Sequence, residues 1–209
     1  MQGALPSVFK GEPATKSDVW RTDLTLKKGK RYIVSAESGT GKSSMCAYIY
    51  GSRKDYEGEI RFDNTDIRKI KIPGWQEIRR SSIAYLPQEL GLFPELSAWD
   101  NIVLKNDLTG HFTSDKIENL LERLGIAARR NFPVGKMSIG QQQRVGIIRA
   151  ISQPFDFIML DEPVSHLDET NNRIVASIIE EEAGRQGAAV ISTSVGNHLL
   201  LSDAEILKL

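Results

Sequence analysis

The stretch VSAESGTGKSS, from Val34 to Ser44, constrains the fold of this chain more than any other feature. A β-branched apolar run ends in a loop of small residues, and the loop closes on Lys42 followed by two hydroxyl side chains. Gly39 and Gly41 let backbone N–H groups approach phosphate oxygens with no Cβ in the way. A helix that begins near Gly41 adds the positive end of its dipole. The stretch therefore predicts a strand, a loop and a helix that cradle the phosphates of a nucleotide.

The loop matches the pattern G-x-x-x-x-G-K-[ST] except at its first position, where Ala36 replaces glycine. We expect Lys42 to reach the outer phosphates and the Ser43 hydroxyl to ligate Mg²⁺. The alternative is an ordinary Ser/Gly turn between a strand and a helix. The nucleotide-binding residues expected here are Ala36, Glu37, Ser38, Gly39, Thr40, Gly41, Lys42, Ser43 and Ser44.

Composition is compatible with one compact domain and limits the classes of partner. The chain has 209 residues, 40% of them hydrophobic, and a formal net charge of +0. Interspersed charges of both signs form no basic stripe, so we expect no nucleic-acid partner. Cys46, the single cysteine, excludes an internal disulfide and is expected to be a small buried hydrophobe.

Targeting signals are not evident in the sequence. No apolar run approaches the roughly 18 to 20 residues of a membrane span. The N-terminus, MQGALPSVFKGEP, lacks the apolar core of a signal peptide. We expect a cytoplasmic protein.

Strand and helix signals alternate along the chain, which is typical of α/β proteins. Apolar runs predict strands at 31–35, 59–62, 82–86, 155–160 and 188–193 and a helix at 42–50. Between residues 90 and 131 the pattern becomes helical, and a second helical stripe precedes the last of these strands. The residues of the two stripes are Ile117, Leu120, Leu121 and Leu124, then Ile174, Val175, Ile178 and Ile179. A nucleotide-binding α/β core with a helical insertion is the predicted fold.

A second polar site is predicted at FDFIMLDEP, residues 155–163. An apolar strand that ends in two carboxylates is costly unless they meet a metal or a substrate at the sheet edge. Asp161 suits a Mg²⁺ shell, and Glu162 suits positioning or deprotonating an attacking water. The alternative is that these acidic residues cap the next helix.

A third site is predicted at MSIGQQQR, residues 137–144. Ser138 and Gly140 open a helix, where a hydroxyl and an unobstructed backbone favour a second phosphate-sized anion. Because the first loop already surrounds the phosphates, we expect this site to act on nucleotide held by another subunit.

Five motifs together resemble the ATP-binding subunits of ABC transporters. AESGTGKSS, the YLPQ that ends at Gln88, MSIGQQQR, FIMLDEP and the SHLD of residues 165–168 occur in the order and approximate spacing of that family. The resemblance covers nearly the whole chain. The PELSA run and the tryptophan-containing helix start look more like lipoprotein-release and macrolide-export ATPases than like sugar importers. The resemblance implies an α/β fold: the P-loop NTPase core of the ABC ATPase type, with a RecA-like sheet, an N-terminal antiparallel β portion and an inserted α-helical subdomain. The implied single domain, 1–209, has its core at 1–88 and 138–209 and its helical subdomain at 89–137.

The resemblance also implies ATP and Mg²⁺ as ligands and a head-to-tail dimer with a second ABC ATPase subunit, identical or paralogous. Gln88 would sense Mg²⁺ and act with Lys42 and Glu162 in catalysis, and Asp168 would communicate across the dimer. The residues that would contact the other subunit's nucleotide are Ser138, Gly140 and Gln141.

Two further site residues follow from the resemblance. An aromatic residue normally stacks on adenine; Phe9 is the prediction and Trp20 the alternative, and either could simply pack. At the position of the family's switch histidine stands Ser194, too short to hold both the γ-phosphate and the attacking water. We therefore expect slow hydrolysis. His198 is expected on a following helix, where it either substitutes for the missing imidazole or lies at the surface.

The implied function is an ATP-hydrolysing motor subunit on the inner face of the cell membrane, coupled to separate membrane-spanning permease subunits. We expect neither a membrane span nor a C-terminal regulatory domain in the chain. Leu92, Phe93, Leu96 and Trp99 either form a groove for a partner helix or belong to the helical core. The alternatives are an ABC ATPase that signals across the membrane, a weakly hydrolysing subunit with a degenerate site, and a DNA-repair-type ATPase. The last is disfavoured by the short interval between Gln88 and Ser138.

Overall fold

The computed structural model describes residues 1–11, 16–37 and 39–209. Ser38, one of the expected phosphate-loop residues, lies outside the described residues. The strands are β1 (Gln2–Pro6), β2 (Arg31–Ser35), β3 (Tyr56–Glu59), β4 (Arg61–Phe62), β5 (Thr65–Asp66), β6 (Ile83–Leu86), β7 (Phe157–Asp161), β8 (Ala189–Ser194) and β9 (Glu205–Lys208). The helices are α1 (Lys42–Ile49), α2 (Ile72–Ser81), α3 (Ala98–Asn106), α4 (Ser114–Arg123), α5 (Ile139–Ile151) and α6 (Glu169–Gln186).

A five-stranded parallel sheet, in the order β6-β7-β8-β2-β9, forms the centre of the molecule. Its register pairs Ser35 with Ser194 and Asp161 with Thr193, so β2, β8 and β7 end side by side. The predicted α/β class is confirmed. Because all five strands are parallel, the polar residues that follow them meet at one edge.

Side chains alternate between two apolar clusters on the two faces of this sheet. Ile191 belongs to the cluster that contains Met45 and Cys46 of α1. Val190, its neighbour in β8, belongs to the cluster formed with α3, α4, α5 and α6. Cys46 is fully buried, as expected, and burial raises the pKa of its thiol.

Helices α3 and α4 occupy the interval predicted to be helical. Ser97 and Asp100 form a capping box at the start of α3, and the buried Asn101 ties down the preceding turn through hydrogen bonds with Phe93, Leu96 and Ser97. The predicted stripe on α4 is buried, with each of its four apolar side chains at most 1% exposed. Both helices pack on α5.

The N-terminal antiparallel portion consists of β1 paired with β3 and of the short β4–β5 hairpin. The single strand expected at 59–62 is therefore wrong. Glu59 ends β3, whereas Arg61 and Phe62 form β4 with a different partner, because the buried Ile60 anchors the chain in the core between them. Helix α2 has no counterpart in the sequence-based prediction.

The segment after β8 also differs from expectation. His198 does not lie on a helix, since the chain from 197 to 200 has no regular structure. The Asn172 side chain of α6 donates to the His198 carbonyl at 2.8 Å and accepts from Leu200 N–H at 3.1 Å, so it satisfies backbone groups that a helix would pair internally. Within the described residues, no helix has the length and apolar character needed to cross a bilayer.

Candidate functional site

The loop between β2 and α1 requires glycine at two described positions. Gly39 and Gly41 have φ values of 84° and 97°, in the left-handed region. A Cβ on Gly41 would also lie 3.1 Å from Phe9 Cε2 and 3.3 Å from Trp20 Cζ2. The Thr40 hydroxyl donates to the Glu37 carbonyl at 2.8 Å, which closes the turn.

Lys42 begins α1 and turns its ammonium group back into this loop. The side chain is 5% exposed, and Nζ donates to the carbonyls of Glu37 at 2.8 Å and Ala36 at 3.3 Å. Glu162 Oε1 lies 3.9 Å from the same nitrogen. A buried ammonium group is costly unless it is paired, and these oxygens compensate the charge inside the curve of the loop. The next two residues differ: Ser43 is exposed, and Ser44 Oγ accepts from Arg53 at 2.9 Å.

Asp161, the last residue of β7, carries an oxygen suited to a metal. Its Oδ1 accepts from Thr193 Oγ1 at 2.5 Å, whereas its buried Oδ2 has no hydrogen-bond partner among the described residues. An unpaired buried carboxylate oxygen is costly, and a cation would remove that cost. The oxygen ligands expected here, from Asp161, Ser43 and Gln88, are the type that Mg²⁺ prefers. Gln88 follows β6 and is exposed.

Glu162 has a left-handed backbone, with φ of 52°. Its N–H donates to the Thr193 carbonyl at 3.2 Å, and this conformation turns the side chain toward Lys42. A non-glycine residue held in this region indicates strain that its surroundings maintain, a common feature of functional sites. The alternative that these carboxylates cap α6 is wrong, because the N-cap is Asp168, which accepts from Asn171 N–H at 2.8 Å.

Gln143, which was not among the predicted site residues, is hydrogen-bonded to the backbone of Glu162. It is 3% exposed on α5, and its Nε2 donates at 3.1 Å both to the Glu162 carbonyl and to Ser165 Oγ. Its Oε1 accepts from His166 N–H at 3.3 Å. The sequence does contain a signal for this role: Gln143 is a polar residue on the same helix face as the buried Ile147 and Ile151.

The loop at Ser138 is a helix cap in this structure. Ser138 Oγ accepts from Gln141 N–H at 3.3 Å, and Gln141 Oε1 accepts from Ser138 N–H at 3.1 Å, which completes a capping box. A Cβ on Gly140 would lie 3.0 Å from the His166 carbonyl, a tight contact that favours glycine at this position. Ile139 is 57% exposed.

The structure brings only part of the predicted set together. Contacts join Lys42, Glu162 and Ala36, and the Ala36 N–H donates to the Ser194 carbonyl at 3.3 Å. The buried Ser194 hydroxyl is hydrogen-bonded to His198 Nδ1. Among the described residues, no hydrogen bond connects the phosphate loop with the other predicted residues, which are Phe9, Gln88, Ser138, Gly140, Gln141, Asp161 and Asp168. Hydrogen bonds from Asn171 to Asp168 lower the pKa of the Asp168 carboxyl.

A cavity of about 750 Å³ adjoins the phosphate loop, and the two aromatic candidates contribute to its wall. Trp20 is 7% exposed, and its Nε1 donates to the Thr40 carbonyl at 3.1 Å, so this ring is buried against the phosphate loop and stabilises it. Phe9 is only partly buried and has no such hydrogen bond. Of the two, Phe9 is the ring free to contact a ligand.

The four apolar residues predicted at 92–99 either to form a groove for a partner helix or to belong to the helical core differ in burial. Leu92 and Trp99 pack against the core, and Arg130 lies 3.8 Å over the Trp99 ring. Leu96 is partly buried. Phe93 is 48% exposed, with the Arg149 guanidinium 5.4 Å from its ring centroid.

The family profile described as "ABC transporter" matches residues 19–165, an interval that includes the phosphate loop, the α5 cap and both carboxylates. The chain belongs to the ABC transporter family. Its fold is accordingly the P-loop NTPase fold of ABC ATPases. The cassette is similar to the lipoprotein-releasing system ATP-binding protein LolD of Hyphomonas neptunium, with 32% identity over 81% of this chain and 76% of that protein. An ABC transporter ATP-binding protein of Mycobacterium tuberculosis is 30% identical over 87% of this chain, which spans 56% of that relative's length.

Among solved structures, the cassette resembles the ATP-binding cassette MJ0796, captured as a dimer in a post-hydrolysis state with ADP and Pi. The TM-score is 0.73 at 27% sequence identity, covering 85% of this chain and 79% of that one.

Proposed function

We propose that this ABC cassette binds and hydrolyses ATP as the motor subunit of a transport system. The observation that carries the proposal is the distance of 3.9 Å between the buried Lys42 ammonium group and Glu162, which directly follows Asp161 at the carboxyl edge of the parallel sheet. MgATP would bring a cation to the unpaired buried oxygen of Asp161 and phosphate oxygens to the Lys42 ammonium group, beside the Glu162 carboxylate. The ADP and Pi bound to MJ0796 support the same reaction.

Different residues of the cassette have different roles in ATP binding and hydrolysis. The loop amides of 36–44 bind the phosphates, and the Lys42 ammonium group exchanges its carbonyl partners for phosphate oxygens when nucleotide enters. Glu162 accepts the proton of the attacking water or orients that water, and its distance of 3.9 Å from Lys42 keeps it beside the phosphate site. Phe9 stacks on the adenine.

Mg²⁺ would be held by the Asp161 carboxylate, the Ser43 hydroxyl and Gln88. It supplies charge neutralisation for the phosphate oxygens when bound. No cluster of three or more His, Cys, Asp or Glu side chains suited to a metal occurs in the described part of the chain. A site with few protein ligands, completed by phosphates and waters, is usual for this ion.

The α5 cap acts in a dimer with a second ABC ATPase subunit. Ser138, Gly140 and Gln141 face the partner's nucleotide, and Asp168 contacts the partner. The exposed Ser138 and Ile139 at the helix start support an interface there. The dimeric state of MJ0796 supports the same arrangement.

The membrane partner is a permease, which keeps the cassette at the inner face of the membrane. The region 89–137 would act as a subdomain that transmits motion between this partner and the core formed by 1–88 and 138–209. The exposed Phe93 and Phe132, 48% and 44% exposed, support a docking surface on this region.

The test compares MgATP binding and turnover in three variants. Lys42→Ala removes the only buried cation of the loop and should weaken MgATP binding at least tenfold, about 1.4 kcal/mol, in calorimetric titration. Lys54→Ala, which removes an exposed lysine, is the matched control and should bind normally.

Glu162→Gln should bind MgATP and form a stable dimer in light scattering while turnover falls sharply. Normal MgATP binding by Lys42→Ala, or parental turnover by Glu162→Gln, would refute the proposed roles.

A further inference from the structure

Thr193 contacts both acidic residues of the candidate site, although it was not among the predicted site residues. The parallel register pairs it directly with Asp161, so the two side chains lie on the same face of the sheet. Its hydroxyl donates to Asp161 Oδ1 at 2.5 Å. Its carbonyl and its hydroxyl both accept from Glu162 N–H, at 3.2 Å and 3.3 Å. One fully buried residue therefore holds the strand end that carries both carboxylates.

The face on which these side chains lie is the face covered by α1. Met159 and Ile191, each two residues earlier in its strand, belong to the apolar cluster that contains Cys46 of α1. Burial and, after it, the charge of Asp161 raise the pKa of the Cys46 thiol. Cys46 stands one turn after Lys42 on α1. The Asp161 carboxyl therefore lies on the side of the sheet where α1 leaves the phosphate loop.

The Thr193 hydroxyl determines which oxygen of Asp161 is left without a partner. A hydroxyl has a single proton to donate, and Oδ1 receives it. Asp161 is 2% exposed, and its Oδ2 has no hydrogen-bond partner in the described part of the chain. Because the two oxygens of a carboxylate are chemically equivalent, this hydrogen bond is what distinguishes them. The buried, unpaired Oδ2 is then the oxygen that favours a cation.

We propose that Thr193 is a positioning residue for the divalent cation bound with the nucleotide: it orients Asp161 so that Oδ2 is the metal ligand. This inference rests on the proposed function. Hydrogen bonds of this kind orient the ligands of a metal, and their loss lowers metal affinity by roughly 10- to 100-fold. A threonine with this role changes what Mg²⁺ contributes to nucleotide binding, whereas a threonine that only fills the core changes stability.

The experiment measures the ATP affinity of the full chain by calorimetry, once with Mg²⁺ and once in EDTA. The ratio of the two affinities isolates the contribution of the metal. Thr193→Val keeps the branched shape but removes the hydroxyl, so it should lower this ratio about tenfold or more. ATP affinity in EDTA should stay within about threefold of parental, because the phosphate loop and Lys42 are unchanged. Thr193→Ser, which keeps the hydroxyl, should retain most of the ratio.

Ser192→Ala is the matched control. Ser192 precedes Thr193 in β8 and therefore lies on the opposite face of the sheet. It is fully buried, and its hydroxyl has no partner among the described residues. Removal of this hydroxyl should leave the ratio unchanged.

Mn²⁺ titration followed by electron paramagnetic resonance, with ATP bound, gives a second readout that does not depend on turnover. Thr193→Val should bind Mn²⁺ about tenfold more weakly than the parental chain. If Thr193→Val unfolds at the assay temperature, Thr193→Cys decides the matter. Its thiol is a weaker donor than a hydroxyl, so its ratio should fall below that of Thr193→Ser.

The inference is overturned if Thr193→Val keeps the parental ratio, or if it weakens ATP binding equally with Mg²⁺ and in EDTA, which indicates a structural defect. It is also overturned if Mg²⁺ does not strengthen ATP binding by the parental chain, because Asp161 then holds no metal. A parental chain that binds no ATP under either condition is a different result: it refutes the proposed function itself, and this inference with it.

Discussion

Gln143→Leu should lower both the stability of the fold and the rate of hydrolysis, and the size of each effect follows from three hydrogen bonds. Gln143 donates to the Glu162 carbonyl and to Ser165 Oγ, both at 3.1 Å, and accepts from His166 N–H at 3.3 Å. Leucine fills a similar volume in the buried position but provides no partner for these groups.

The cost in stability comes mainly from His166 N–H, which loses its acceptor, and from the Glu162 carbonyl, which keeps only the bond from Ser165 N–H at 3.4 Å. A buried donor or acceptor that loses its partner costs about 1 to 3 kcal/mol. The Ser165 side chain is exposed and can bond water instead. With one backbone group unpaired and the other more weakly paired, we expect the free energy of unfolding to fall by about 1 to 3 kcal/mol. Urea denaturation at pH 7 measures this, with Gln142→Leu as the matched control because that side chain bonds only the Met137 carbonyl.

The effect on rate should come through Glu162, whose left-handed backbone, with φ of 52°, depends on its surroundings. Release of its carbonyl lets the residue relax and moves the carboxylate away from its position 3.9 Å from Lys42. We expect kcat to fall at least tenfold with MgATP affinity nearly unchanged. Parental kcat in a destabilised Gln143→Leu variant would refute the claim that this residue positions Glu162. If Gln143→Leu is as stable as the parental protein, the destabilisation expected from the lost hydrogen bonds is wrong.

The remaining predictions concern the α5 cap, an ion pair and the adenine contact. Ser138→Arg, in the Glu162→Gln background, should prevent ATP-driven dimerisation in light scattering while leaving ATP binding intact; a dimer that still forms counts against the proposed interface. The bond with the Arg123 guanidinium lowers the pKa of Glu181 to about 2. A lowered pKa contributes stability that is present above the unfolded-state pKa and is lost as pH falls through the folded-state value. Glu181→Gln should therefore cost about 1 kcal/mol at pH 7, after allowance for partial exposure, and progressively less from about pH 4.5 down to pH 2 in urea titrations; a difference independent of pH contradicts this. Phe9→Ala should weaken ATP binding several-fold without loss of thermal stability, and equal affinities would remove Phe9 from the site.

The parallel sheet could be predicted from the sequence because its signals are local. The strand before Ala36 and the strand before Asp161 each end in a motif that requires the carboxyl edge of a sheet. Their order along the chain then restricts the possible topologies to a few. Boundaries were less predictable: residues 59–62 look like one strand, yet only tertiary pairing separates β3 from β4 at Ile60.

The positions of Gln143 and His198 could not be predicted because their partners are distant in sequence. Gln143 bonds residues 19 to 23 positions later, and the His198 carbonyl accepts from Asn172, 26 positions earlier. Local pattern predicts that His198 lies on a helix that follows the last core strand. In the structure, the buried Asn172 side chain of α6 pairs with the backbone groups of His198 and Leu200 instead.

Helix α5 carries both the turn proposed to contact the partner's nucleotide and the residue that bonds the cassette's own Glu162. Its first turn, at Ser138, is the part that would meet nucleotide held by the partner, whereas Gln143, little more than one turn later, holds the carbonyl of the cassette's own Glu162. A helix is stiff over that distance, and Arg144 further restrains α5 through bonds to the Leu124 carbonyl and Asn171. In the proposed dimer, a shift of the first turn on closure would therefore be transmitted to the backbone of Glu162. In the proposed dimer, each nucleotide would be hydrolysed only when the opposite site has engaged this helix, and the coupling needs no residue that touches both nucleotides.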